Sequence, residues 1–108
     1  MQDFEGLSLC DYRSEQVTIH VRASMTDGAL TVAGHDLGAV TEEIWGDTDY
    51  EYWYMFTPEE TEKLLWAIDG LEDPQGALLR EFSGESGCRA LQELCENRGI
   101  EYEFSSYC

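Results

Sequence analysis

The sequence has few positive charges. Its 108 residues include 6 Lys and Arg against 23 Asp and Glu, for a formal net charge of -17. Because nucleic acids and anionic membranes are themselves polyanions, this charge argues against direct binding to either one. Long apolar runs are also missing, since none approaches the ~18 residues that a transmembrane helix needs. Residues 1–5 have neither a basic nor a long apolar stretch, so we expect no secretory signal and a cytoplasmic protein.

Motifs for catalysis, cofactors and metals are scarce as well. The chain has no Gly-x-Gly-x-x-Gly and no P-loop, so no phosphate cradle is indicated. No two cysteines are spaced as Cys-x-x-Cys, which argues against a zinc site. Asp47-x-Asp49-x-Glu51 begins like a calcium loop, but Tyr52 and Pro58 occupy the positions that need Gly and Glu. The sequence therefore predicts no catalytic residue, no metal ligand and no cofactor.

The cysteines fit a reducing compartment. Cys88 and Cys95 are seven residues apart in a helical pattern, which predicts buried, reduced thiols on one face. Cys10 and Cys108 lie near the chain ends, and a disulfide between them would require those ends to meet. Without a secretion signal, reduced thiols in a bacterial-type cytoplasm are the expectation.

The two histidines each have two interpretations. His20 lies on the polar face of a predicted strand, and His35 begins a predicted turn. Either histidine could serve as a general base or a metal ligand. The simpler interpretation is that His20 is a surface residue and His35 a turn residue. A nucleophilic Cys–His pair would need partners that meet only in space, and no sequence pattern points to one.

Apolar and aromatic residues are abundant enough to build a core. They make up 43% and 12% of the chain, which excludes a disordered acidic tail. The length suits a single α+β domain spanning residues 1–108, with no room for a second core. Residues 1–15 show no sustained periodicity, so we expect a loosely ordered N-terminal segment, with at most one short strand.

Three stretches in the first half are typical of strands. Residues 16–24 alternate between apolar and polar side chains, and residues 29–34 return after a turn at 25–28 that contains Asp-Gly. Residues 35–38 are expected to form a turn-like connector. The aromatic run at 48–56 predicts a strand that is central in the sheet or covered on both faces.

Three helical patterns follow these strands. The first begins where Thr57 can cap and Glu60 can close the capping box, and Gly70 is its expected end. A shorter pattern covers residues 77–82, and a third covers 88–98. The predicted helices are grouped in the second half of the chain, which favours a layer on one face of the sheet.

The chain closes with one more alternating segment. Residues 100–104 predict a strand with Ile100, Tyr102 and Phe104 buried, beside the strand at 48–56. The order strand-strand-strand-helix-helix-helix-strand predicts an α+β two-layer sandwich. Its sheet would be mostly antiparallel, with about four strands and helices packed on one face.

The strongest functional indication is the acidic surface. A charge of this size far exceeds the magnitude of about 2–8 that keeps a small domain soluble. Such a field would steer a basic partner and raise its association rate. Carboxylates interleaved with aromatic rings could bind Arg and Lys while the rings supply buried area. The predicted partner-binding residues are Glu42, Glu43, Trp45, Asp47, Asp49, Tyr50, Glu51 and Tyr52.

Two alternatives concern the same aromatic residues. The rings could belong to the core, with the carboxylates serving only solubility. Trp66 falls off the inward stripe of the first helix, so it is either a further core contact or an exposed binding residue. Trp53, Met55 and Phe56 are expected in the core rather than at a contact surface.

Two segments resemble a known group of sequences. The first runs through Gly34-His35-Asp36-Leu37-Gly38, Glu43-Ile44-Trp45-Gly46-Asp47 and Asp49-Tyr50-Glu51-Tyr52. The second is the ending Gly99-Ile100-Glu101-Tyr102-Glu103-Phe104-Ser105. Together they resemble small acidic bacterial proteins of unknown function that are widespread in actinobacteria. The resemblance implies a single domain of bacterial cytoplasmic origin, and it implies no catalytic residue.

These observations favour a non-enzymatic protein that binds and inhibits a basic protein. The partner would be a nuclease, a toxin or a nucleic-acid-binding enzyme, as for an immunity protein or a phage inhibitor of a defence enzyme. In the latter case the carboxylates would mimic nucleic-acid phosphates. One alternative is a housekeeping domain whose acidity only gives solubility, and a second is a small enzyme or metal-binding protein. The protein could be a monomer or a dimer.

Overall fold

The computed structural model describes residues 3–14, 17–38 and 49–107. Five strands form one antiparallel sheet in chain order. They are β1 (Phe4–Arg13), β2 (Val17–Thr26), β3 (Ala29–Gly38), β4 (Asp49–Met55) and β5 (Glu103–Tyr107). The helices are α1 (Pro58–Ala67), α2 (Pro74–Phe82) and α3 (Gly87–Arg98). The α+β prediction is confirmed, and the sheet has five strands instead of about four.

The extra strand comes from the N-terminal segment. Residues 1–15 were expected to be loosely ordered, whereas β1 occupies most of them and buries Leu9 and Cys10. Its pairing with β2 shifts register between Phe4 and Leu7 and again between Ser8 and Cys10. Each shift reverses which alternate residues face the core. The two-residue periodicity is therefore hidden in the sequence.

The hairpin between β2 and β3 forms as predicted, but β3 is longer. Asp27 and Gly28 have φ values of 52° and 80°, as a tight hairpin turn requires. The backbone N–H groups of both residues donate to the Asp3 carboxylate. Residues 35–38 belong to β3 and are not a connector. All four pair with β2, and residues 35–37 also pair with β4.

The helices begin and end close to the predicted positions. Thr57 caps α1 by accepting the Glu60 N–H at 3.2 Å. Asp73 caps α2 in the same way, and Gly99 ends α3 with φ 66°. The side chains that α1 turns inward are fully or almost fully buried: Thr61, Leu64, Leu65 and Ile68. The helices thus cover one face of the sheet with the stripe that their spacing predicts.

The closing strand differs from its prediction in burial. It pairs with β4 as expected, but it spans residues 103–107 and all five of them are exposed. Ile100 is buried and Tyr102 is half-buried, whereas Phe104 is 46% exposed. The reason is that, among the described residues, β5 has only one neighbouring strand, so Phe104 is left uncovered on its other side.

Candidate functional site

Much of the predicted partner-binding segment lies outside the described residues. This holds for Glu42, Glu43, Trp45 and Asp47, and for the side chain of Asp49. The remaining residues, Tyr50, Glu51 and Tyr52, belong to β4. In a strand, successive side chains point to opposite faces, so β4 separates the tyrosines from the glutamate.

Tyr52 belongs to the core rather than to a contact surface. Its ring covers Gly34 on the neighbouring strand, where any Cβ atom would overlap it. The Tyr52 hydroxyl lies 4.0 Å from Cys88 Sγ, and burial raises its pKa far above the ordinary value. Tyr50 is half-buried beside it, with ring centroids 5.6 Å apart. The expectation that Tyr52 contacts a partner is therefore corrected.

Glu51 lies on the opposite face, which the helices leave open. There a row of polar residues crosses the strands, since Asp11 pairs with His20, His20 with His35, and His35 with Glu51. His20 Nδ1 is 3.0 Å from Asp11 Oδ1, and His35 Nε2 is 3.8 Å from Glu51 Oε1. His35 is thus a strand residue, not a turn residue. Sequence spacing alone could not pair the two histidines.

The remaining predicted core residues divide between the two faces. Phe56 is buried as expected, at 3% exposure. Trp53 and Met55 are half-buried on the open face, where Trp53 pairs with Ala33 of β3 and Ser105 of β5. The aromatic density of β4 therefore reflects an interior strand of the sheet that is covered by helices on one face only.

Trp66 is the most exposed aromatic residue on the helical layer. Its side chain is 68% exposed, so Trp66 is not a further core contact. It follows Leu64 and Leu65, which point inward, so it lies on the outer side of α1. Glu59 and Glu62 share that side at helical spacing. A large apolar ring surrounded by charge is typical of a binding residue rather than of a core residue.

The two grooves beside this ring differ in charge, since the first is lined by both acidic and basic residues and the charged residues of the second are all acidic. One groove of about 350 Å³ lies along α1 and includes Lys63 and Arg98. A second groove lies on the other side of Trp66 and includes Leu71, which is 41% exposed. Lys63 is held by Glu60, with Nζ 2.8 Å from Oε2. We define the Trp66 surface as Glu59, Glu62, Trp66, Asp69, Leu71, Glu72 and Asp73.

The loop after α1 is held by hydrogen bonds that fix this surface. Asp69 adopts φ 57° and donates its N–H to Trp66 O at 3.2 Å, and Gly70 N donates to Leu65 O at 2.7 Å. The Arg80 guanidinium donates to Ile68 O at 2.5 Å. These three hydrogen bonds hold the backbone of residues 68–70. The backbone from which the Asp69 carboxylate extends beside the ring is therefore fixed.

A neighbouring groove extends the acidic region toward β5. It has a volume of about 620 Å³ and includes Glu101 and Glu103. Glu60 Oε1 accepts the backbone N–H of Glu101 at 2.8 Å. Hydrogen bonds from Lys63 and from this N–H hold the pKa of Glu60 below its ordinary value. Glu60 therefore remains ionised and joins α1 to the segment that leads into β5.

The described residues contain three free cysteine thiols and no cluster of metal ligands. Within residues 3–14, 17–38 and 49–107, no group of three or more His, Cys, Asp or Glu side chains is placed to hold a metal ion. Cys10, Cys88 and Cys95 are free thiols, and burial raises the pKa of each. A thiol with a raised pKa is a poor nucleophile at neutral pH.

Comparisons with known proteins add no assignment. The sequence matches no protein-family model, no curated protein and no solved structure. Among the described residues, no helix is both long and apolar enough to cross a membrane.

Proposed function

We propose that this chain is a non-enzymatic acidic protein that binds a basic protein and inhibits it. The observation that carries the proposal is Trp66, an exposed indole on the outer side of α1. Five carboxylates line the grooves beside it, together with Lys63 and Arg98. Aromatic residues at the centre of an interface supply buried area, and surrounding carboxylates select Arg and Lys on the partner. The net charge of -17 supports the same partner chemistry, because a strong field accelerates association with a basic surface.

The partner class follows from the charge. Basic surfaces of sufficient size occur on nucleases, toxins and nucleic-acid-binding enzymes, which must attract phosphates. Carboxylates spaced along α1 and its following loop could occupy such a phosphate-binding surface and block it. The proposal places this activity in the cytoplasm, as for an immunity protein or a phage inhibitor of a defence enzyme.

The first experiment separates specific binding from general attraction to a polyanion. Immobilised wild-type chain and a Trp66→Ala variant are incubated with host lysate at low salt and eluted with rising salt. Both carry the same carboxylates, so proteins held by charge alone bind to both. We expect a basic protein that is retained by the wild type and released early from the variant. Its purified activity should then be blocked by the wild-type chain.

Two charge variants locate the contact surface. The first replaces Glu59, Glu62, Asp69 and Glu72 by their amides, and the second does the same at Glu5, Glu85, Glu93 and Glu96. The two lower the negative charge equally, and all eight side chains are exposed. Only the first variant should lose most of its affinity. Equal losses of affinity would show that the partner is attracted by the overall negative charge and not by a defined Trp66 surface.

The segment predicted from sequence remains a separate proposal. Amide substitution of Glu42, Glu43, Asp47, Asp49 and Glu51 tests it, with Trp66 and its neighbours unchanged. If the partner binds this variant normally, these five carboxylates do not contribute to the contact. If the wild type retains no basic protein beyond background, the housekeeping alternative replaces the inhibitor proposal.

A further inference from the structure

The two edges of the sheet differ in their protection. β1 pairs with β2 through two register shifts and contains Gly6 at φ 68°. β5 pairs residue for residue with β4, from Glu103 opposite Met55 to Tyr107 opposite Glu51. Bulges, prolines and lysines discourage the addition of a further strand to an edge. β1 has bulges, whereas the regular β5 has neither a proline nor a lysine.

The β5 edge also exposes apolar area on both faces of the sheet. Phe104 is 46% exposed on the helix-covered face, where its ring lies 5.1 Å from that of Tyr54. Tyr107 is 72% exposed and stands opposite Glu51 on the open face. A strand added beside β5 would place its side chains on one face against Phe104 and those on the other face against Tyr107, within reach of cross-strand contacts.

Charge indicates what kind of segment would fit this edge. Glu101 and Glu103 lie at its start, next to the groove that also includes Glu60. Two copies of this chain each carry a net charge of -17, and this repulsion opposes their association edge to edge. A segment that carries Lys or Arg would instead meet these carboxylates and gain the same backbone hydrogen bonds.

We propose that β5 binds an extended basic segment of the partner protein, which adds to the sheet as a sixth strand. Backbone hydrogen bonds along β5 would supply affinity, and Phe104, Tyr107 and Glu103 would select apolar and basic side chains in alternation. The inference rests on the proposed function for the basic character of the partner. The segment from 98 to 103 links the Trp66 groove to this edge, so one partner could contact both.

The test uses the full chain with a synthetic peptide of alternating Lys and Val as probe. A peptide of alternating Glu and Val is the control for charge. Amide hydrogen exchange is followed by NMR with and without saturating Lys-Val peptide. We expect slower exchange at alternate residues of 103–107, whose N–H groups point away from β4, and no effect of the Glu-Val peptide. Unchanged exchange at 103–107 under saturation would overturn the inference.

A pair of matched variants tests the location. Ser105→Lys adds a positive charge to the edge, and Ser83→Lys adds the same charge at an exposed position after α2. We expect the first to weaken binding of the Lys-Val peptide about fivefold, because like charges on adjacent strands repel, and the second to change it little. Equal effects of the two variants would contradict an edge site.

Further outcomes separate this inference from the proposed function. If the peptide binds and Trp66→Ala abolishes that binding while exchange at 103–107 stays unchanged, the edge inference fails and the Trp66 surface stands. Protection of 103–107 that survives Trp66→Ala supports the edge, even if the lysate experiment finds no partner. Protection that rises with chain concentration in the absence of peptide, with a doubled mass in sedimentation, would assign the edge to a second copy and overturn the inference.

Discussion

The hydroxyl of Thr61 accepts the backbone N–H of Leu30 at 2.9 Å, and both residues are fully buried. This bond joins α1 to the start of β3, at the point where β3 has not yet begun to pair with β4. Leu30 uses its carbonyl as well, accepting the N–H of Phe56 at 2.9 Å. A side chain of the helical layer thus completes the hydrogen bonding of the sheet, which matters because a buried N–H without an acceptor is costly.

Replacing Thr61 by Val should destabilise the protein by about 1–3 kcal/mol, because the shape is retained while Leu30 N–H loses its acceptor. Urea unfolding followed by tryptophan fluorescence measures the change. Thr26→Val is the control, since Thr26 is exposed at the end of β2 and its replacement should alter stability by no more than ~0.5 kcal/mol. Equal effects of the two substitutions would show that the hydroxyl bond contributes nothing.

Replacing Gly34 by Ala should also destabilise the fold. A Cβ atom at this position overlaps the Tyr52 ring, which must move or be strained. Overpacking of this kind costs about 1–3 kcal/mol. The same substitution in a Tyr52→Leu background should cost clearly less, because the ring is gone, and a double-mutant cycle measures the coupling. Costs that simply add would contradict a direct contact between the two positions.

Asp36 provides a prediction about pH. Burial raises the pKa of its carboxyl above 3.8, and its Oδ1 is buried without a hydrogen-bond partner among the described residues. The folded state therefore binds this proton more readily than the unfolded state does. Ionisation of Asp36 costs stability above the raised pKa, and the cost disappears as the pH falls below 3.8.

Asp36→Asn should consequently stabilise the protein at pH 7, with a gain that shrinks as the pH is lowered through the raised pKa. Urea unfolding of variant and wild type at several pH values measures this difference. Glu93→Gln removes one negative charge at an exposed position, so it controls for relief of general repulsion. A gain for Asp36→Asn that equals the control at every pH would contradict the prediction.

The buried thiols should react slowly. Burial raises the pKa of Cys95 to about 11, so little thiolate is present near pH 8, and thiolate is the reactive form. Iodoacetamide should modify Cys95 far more slowly in the folded protein than in concentrated urea, as read by peptide mass spectrometry. Modification at the same rate in both states would contradict the buried position.

Salt should stabilise the fold. With a net charge of -17, repulsion among carboxylates opposes the compact state, and screening shortens its range to about 10 Å at 0.1 M ionic strength. The free energy of unfolding should therefore rise with NaCl. The rise should be smaller for the variant with amides at Glu5, Glu85, Glu93 and Glu96. A salt dependence that is identical in the two proteins would exclude repulsion as its cause.

Sequence patterns predicted the helices better than the strands. The cap at Thr57, the inward stripe of α1 and the end of α3 at Gly99 all depend on residues within one or two turns of each other. Local hydrogen bonds and helical periodicity determine such features, so they are readable without the rest of the molecule. The length of β1 was underestimated because its register shifts hide the alternation, and the extension of β3 depends on two partner strands.

The candidate site shows the same division. The acidic charge and the aromatic content follow from composition, because charge and side-chain chemistry are properties of the sequence itself, and the proposal of a basic partner rests on that charge. Which aromatic residue faces solvent is a property of packing. Tyr52 is buried over Gly34 and Trp66 stands exposed, since burial depends on neighbours that lie far apart in the chain. Tertiary structure likewise decided that β5 is a sheet edge, because a strand cannot reveal from its own residues how many partners it has.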